Sequence, residues 1–139
     1  MRMPVDAVQQ RMLDDLRAAG FTDLVPAHFA VLRYPGPDGR RPSDLALELG
    51  MTKQAMNYLL GQLEQLGYLM REDDPDDRRS KRVHLTARGR ALRRTIRATV
   101  TDIEAELEQQ LGKARYTQLR ALLVELNACT IAGGERDAT

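Results

Sequence analysis

Residues 43–86 read SDLALELGMTKQAMNYLLGQLEQLGYLMREDDPDDRRSKRVHLT, and the rest of the chain is arranged around them. Leu45, Ala46 and Leu49 share one side of a short helix. Gly50 ends it, because glycine enters the left-handed cap conformation without a steric penalty. Thr52 opens a second helix, its hydroxyl placed to accept from the free N–H groups of the first turn. Ala55, Met56, Leu59, Leu60, Leu63 and Leu66 then recur at the helical period and form a buried stripe. The opposite face carries Lys53, Gln54, Asn57, Tyr58 and Gly61, with no acid before Glu64. Such a face suits a DNA major groove: Gln and Asn pair two-fold with adenine, Lys meets guanine or phosphate, and Tyr meets phosphate or a thymine methyl. An ordinary amphipathic helix would show a polar side too, so the face alone leaves the matter open.

The residues after Gly67 decide it. Tyr68 to Arg71 reads as a short strand, Glu72 to Lys81 as a charged loop containing Pro75, and Arg82 to Thr86 as a strand of alternating polar and apolar residues. A helix pair joined to a hairpin with a basic tip is a winged helix-turn-helix. Its tip can reach a minor groove beside the occupied major groove, where the negative potential of a narrow groove favours Arg.

The stretch 52–92, TKQAMNYLLGQLEQLGYLMREDDPDDRRSKRVHLTARGRAL, resembles the MarR family of bacterial transcription regulators. The family's wing signature stands here as Asp77-Arg78-Arg79, then Val83-His84-Leu85-Thr86 and Gly89. The resemblance covers roughly residues 5–130 and is strongest from 41 to 92. It implies that Asp77 holds the Arg79 side chain, which enters the minor groove. It also implies an obligate two-fold dimer built from both chain ends, and release from DNA by a small aromatic molecule. The expected fold is therefore mostly α, an α+β winged helix-turn-helix with N- and C-terminal helices forming an intertwined dimerisation region.

Composition agrees with this reading. A chain of 139 residues with 42% hydrophobic content suits one domain with a core. No run of apolar residues is long enough for a membrane span, and no basic-then-apolar leader opens the chain. A single Cys excludes an internal disulfide and a Cys-rich zinc site. A cytoplasmic protein is expected. The net charge of +1 hides a segregation. Arg78 to Arg97 holds nine Lys or Arg and no acid, whereas Ala98 to Gly112 holds four acids and no base. The basic run adjoins the reading helix, where phosphate contacts would add salt-dependent affinity.

Around this centre, residues 4–19 form an amphipathic helix carrying Val5, Val8, Met12, Leu13 and Leu16. Thr22 to Tyr34 reads as a helix with Pro26 in its first turn, and Tyr34 to Gly39 as a loop. Arg40-Arg41 is placed to add a short third strand, and Pro42 to begin the next helix. Thr86 caps a long helix reaching about Leu111, with Leu92, Ile96, Val100, Ile103 and Leu107 on its apolar side. Gly112 breaks it, and a last helix runs from about Lys113 to Thr130, with a polar tail after it. The domain assignment is one MarR-like domain over 1–139, with 22–86 as the DNA-binding part and 1–20 and 87–132 as dimerisation helices. The dimer residues are Val5, Val8, Met12, Leu16, Leu119, Leu122 and Leu126.

No catalytic set converges, and no enzyme activity, cofactor or metal is expected: His28, His84 and Cys129 lie in separate elements. The acids 73, 74, 76 and 77 lack the Gly and terminal Glu of a calcium loop. Cys129 is read as a structural thiol, having no nearby base in sequence. The residues assigned to DNA are Thr52, Lys53, Gln54, Asn57, Tyr58, Asp77, Arg78, Arg79, Lys81 and Arg82, with Thr52, Arg78, Lys81 and Arg82 on phosphate. Phe21, His28, Phe29 and Leu32 are the candidate lining of an aromatic effector site. The competing reading is a winged helix that binds protein or RNA without operator recognition. It calls for an exposed apolar patch or stacking aromatics, and aromatics are only 4% of the chain.

Overall fold

The computed structural model describes residues 4–33 and 36–128, with the side chains at 4, 5 and 127 outside that description. The expectations placed on Val5, Cys129 and the C-terminal tail therefore lie outside the described residues. The order is α1 (Pro4–Ala18), α2 (Pro26–Leu32), α3 (Pro42–Glu48), α4 (Lys53–Gln65), β1 (Leu69–Asp74), β2 (Asp77–Leu85), α5 (Ala87–Leu111) and α6 (Lys113–Ala128). The chain divides into two compact units, Met1–Val100 and Thr101–Thr139.

In the first unit the predicted α4 stripe is the centre of the core, with Met56, Leu60 and Leu63 fully buried. Leu16, Val31, Leu45, Leu69, Val83 and Leu92 join it from the other elements. Gly50 has φ +64 between α3 and α4, the left-handed turn expected of it. Thr86 caps α5, its Oγ1 accepting from the Gly89 N–H at 3.1 Å.

Three expectations about the elements change. α2 begins at Pro26 and not at Thr22. A residue before proline is pushed into extended backbone, and Val25 sits at φ −117, ψ 160. The segment excluded from the helix makes tertiary contacts. Leu24 is buried, and Asp23 accepts from the Tyr68 hydroxyl and from Arg88 Nη2 at 3.0 Å. Burial opposes ionisation of Asp23, but those two hydrogen bonds outweigh it and hold its pKa below the usual carboxylate value. Burial and the Asp23 hydrogen bond push the Tyr68 phenol upward.

Most of the charged loop is strand. β1 and β2 pair antiparallel from Leu69↔Leu85 to Asp73↔Lys81, so only Pro75 and Asp76 lie between the strands. Glu72 faces Arg82 and Asp73 faces Lys81, which turns a run of mixed charge into opposite-charge cross-strand pairs. The third strand reduces to two backbone bonds, Gly39 N–H to Val83 O (2.6 Å) and Val83 N–H to Arg40 O (2.8 Å). Pro42, which has no N–H and starts α3, prevents its extension.

In α1, Met12 and Leu16 pack into the core of their own unit, with Leu16 fully buried. Of the residues assigned there to a dimer, Val8 stays exposed. In the second unit Gly112 ends α5 at φ +82. Tyr116 is buried and Leu119 half-buried, whereas Leu122, Leu123, Val124 and Leu126 are exposed.

Candidate nucleic-acid interface

α4 presents Lys53, Gln54, Asn57 and Tyr58 outward while its other side fills the core. Thr52 Oγ1 accepts from the Ala55 N–H at 3.0 Å, so the helix starts cleanly. The hydroxyl proton of Thr52 remains available to an anion. The first turn contains no acid, and the unpaired N–H groups there carry partial positive charge. Two neighbours not anticipated from sequence brace this face. Arg71 of β1 reaches Glu64 at 3.4 Å and Asn57 Oδ1 at 3.5 Å. Gln62 donates to the Tyr58 hydroxyl oxygen at 3.0 Å.

The wing differs from the expected arrangement in how it is held. Asp77 does not grip the Arg79 side chain. Its Oδ1 accepts from the Arg79 backbone N–H at 3.0 Å and its Oδ2 from the Ser80 hydroxyl at 3.2 Å, fixing the backbone from which Arg79 projects. Arg78 and Arg79 are exposed. Arg82 is not a free phosphate ligand: it pairs with Asp74 at 3.1 Å and donates to Gly39 O at 2.8 Å. Lys81 is exposed and pairs with Asp73 at 2.6 Å.

Asp74 is the residue that sequence reasoning missed. Its side chain is wholly buried and also bonds Arg41, the residue just before α3, at 2.6 Å. It thereby ties the wing to the helix-turn-helix. The Asp76 backbone N–H (3.0 Å), then Arg82 and Arg41, hold its pKa down to about 2 against burial, which acts in the opposite direction. Strict alternation from Leu69 would turn residue 74 outward. A register shift between Asp73 and Asp74 turns it inward, and no sequence signal marks that bulge.

A groove of about 530 Å³ opens between α4 and the wing. Lys53, Asn57 and Lys81 line it from the expected set, together with Arg41, Ser43 and Arg71, which were not expected. Gln54, Tyr58, Arg78 and Arg79 are exposed outside its lining.

The four residues assigned to an effector site are packed into or against the core. His28 and Leu32 are buried, and Phe21 and Phe29 lie against the cluster. Both ring nitrogens of His28 are engaged, by Val25 N–H at 3.2 Å and by Gln62 Oε1 at 3.0 Å, leaving neither for a ligand. His84 is half-buried on the wing, 3.9 Å from Asp38 and 3.9 Å from Glu72.

A helix pair with a polar-faced second helix, joined to an antiparallel hairpin that is pinned back to the first, is a winged helix-turn-helix. Residues 22–80 match the family model of the MarR family. The HTH-type transcriptional repressor Rv2887 of Mycobacterium tuberculosis is 32% identical over 90 residues, a match spanning 65% of this chain and 65% of that repressor's own length. The solved structure of Streptococcus pneumoniae FabT in complex with DNA superposes with a TM-score of 0.79 at 22% identity, over 89% of this chain and 87% of that one, a likeness of fold. The transcriptional repressor CouR, bound to a 23-mer DNA duplex, superposes with a TM-score of 0.65 at 28% identity, over 88% and 89% of the two chains. Over its helix-turn-helix and the first part of its wing the chain is thus similar to the MarR family.

Proposed function

We propose that this protein is a cytoplasmic, sequence-specific regulator of transcription that binds double-stranded DNA as a homodimer and represses from an inverted repeat. The observation that carries this reading is the polar groove framed by the outward face of α4 and the basic wing. Lys53, Gln54, Asn57 and Tyr58 read or brace bases. Thr52, Arg78 and Lys81 meet phosphate, and Arg79 enters the minor groove. Arg82 moves from the DNA contacts to the frame. The repressor names of the relatives and the DNA in the FabT and CouR structures support the same reading. No helix of the described residues is long and apolar enough to cross a membrane.

Dimerisation is supported by α6, where Leu122, Leu123 and Leu126 share one side of the helix and all are exposed, Leu122 by 61%. A soluble helix buries such a side somewhere, and a second copy is the occupant that two-fold assembly provides. Two reading helices related by a two-fold axis call for half-sites about 10 bp apart.

Selection of bound duplexes from a random DNA pool tests the whole reading. The expected result is one inverted repeat, relaxed or lost in the Gln54→Ala/Asn57→Ala variant. Recovery of no motif, with binding that only tracks salt, would turn the search to protein or RNA partners. On the selected duplex, Arg79→Ala is expected to weaken binding about tenfold to a hundredfold. Asp77→Ala is expected to weaken it less, because Arg79 keeps its charge and loses only its backbone anchor. Wild-type affinity in both variants at moderate salt would remove the wing from the interface.

A further inference from the structure

One connected chain of hydrogen bonds runs from the core to the outer face of α4. It starts at the Val25 backbone N–H, which meets His28 Nδ1 at 3.2 Å. His28 Nε2 meets Gln62 Oε1 at 3.0 Å. Gln62 Nε2 meets the Tyr58 hydroxyl oxygen at 3.0 Å. His28 is 3% exposed and Tyr58 is 67% exposed, so these bonds join a buried ring to the outer face of α4.

The direction of every bond is set by its first member. A backbone N–H can only donate, so Nδ1 of His28 must accept and carries no proton. The ring proton then sits on Nε2, which must donate, so the Gln62 atom facing it is the carbonyl oxygen. That leaves the Gln62 amide NH2 turned toward Tyr58, where it donates. The Tyr58 oxygen accepts, and its own O–H is left with no partner on this side. It points its donor capacity toward solvent, on the face that carries Lys53, Gln54 and Asn57. A buried ring with one forced tautomer therefore determines whether a surface hydroxyl serves as donor or acceptor.

We propose that His28, acting through Gln62, is a positioning residue for DNA recognition: it holds Tyr58 in place and keeps its hydroxyl proton free for a phosphate or base acceptor. This rests on the DNA-reading function proposed above, and the test separates the two. The first measurement is the His28 tautomer, read from long-range proton–nitrogen NMR correlations of the free protein at pH 8. A protonated Nε2 with a bare Nδ1 is expected. A proton on Nδ1 would overturn the chain of bonds whatever the protein binds.

The second is a cycle on the selected duplex. Gln62→Leu removes the link without adding charge. With Tyr58 intact it is expected to weaken binding about fivefold, the worth of one neutral hydrogen bond. In the Tyr58→Phe background it is expected to change affinity by less than about twofold, since no hydroxyl remains to be positioned. Any general loosening of the fold would appear equally in both backgrounds and cancels. Equal losses in the two backgrounds would overturn the inference while leaving DNA recognition standing. A wild-type chain that selects no duplex would overturn both.

Discussion

Gly89→Ala is expected to lower the melting temperature by about 10 °C or more, as measured by circular dichroism. A Cβ at this position would lie 1.9 Å from the Tyr68 backbone oxygen, 3.0 Å from its carbonyl carbon and 3.1 Å from Leu85 Cδ2. None of these can yield cheaply. The Tyr68 oxygen accepts from the Thr86 N–H at 3.1 Å. Tyr68 itself is fully buried, with its ring 4.3 Å beneath the Arg88 guanidinium. Thr86 Oγ1 donates to Gly67 O at 2.5 Å while accepting from Gly89, and Arg88 bonds Leu66 O. The start of α5 is thus laced to the end of α4 at backbone distance, and one methyl group forces the two apart. Overpacking of this kind costs about 3 kcal/mol, a large share of the roughly 5–15 kcal/mol that a domain has. Gly61→Ala is the control. It lies inside α4 with nothing nearer than 3.9 Å, at an Arg71 side-chain nitrogen, and is expected to stabilise by about 0.5–1 kcal/mol through helix propensity. A Gly89→Ala protein melting within about 2 °C of wild type would mean that α5 moves freely over Tyr68.

Asp74→Asn is expected to lower the melting temperature by several degrees and to weaken DNA binding, because the wing loses its tie to α3. The substitution leaves Arg41 and Arg82 without the carboxylate they share. Its pH dependence identifies the cause. The folded-state pKa is held at about 2, below the unfolded value of about 3.9. A depressed carboxyl stabilises the folded state above the unfolded value, and the contribution disappears as pH falls toward the folded one. The difference in melting temperature between wild type and Asp74→Asn should therefore be constant from pH 7 to pH 5, shrink below about pH 4 and nearly close at about pH 2. Asp73→Asn, at a side chain 76% exposed and paired with an exposed Lys81, should change little at any pH. A difference that persisted at pH 2 would show that Asn at 74 fails for reasons of shape and not of charge.

The elements carried by strong local chemistry were legible. Gly50, Thr52 and Pro42 sit at the turn, cap and first helical position that their backbone preferences require. The α4 stripe is buried because six apolar residues at the helical period have no other stable placement. The outward position of Lys53, Gln54, Asn57 and Tyr58 is a consequence of that burial alone. What failed was the separation of charged surface from charged frame. A linear reading put Arg82 on phosphate together with Arg78 and Lys81. Only cross-strand register shows that Arg82 faces Glu72 and reaches Asp74, while Arg78 and Arg79 stay outside.

By itself, the sequence determined the helix-turn-helix, the existence of the wing and which face of α4 is wet, since each depends on residues within a few positions of one another. Tertiary structure alone decided that Asp74 points inward, that Met12 and Leu16 of α1 fill the core of their own unit, and that His28 is joined to Tyr58. Those depend on partners 33 residues apart for Arg41 with Asp74 and 34 for His28 with Gln62. Burial settles such pairings, because a buried polar group must find its partner wherever the fold brings one.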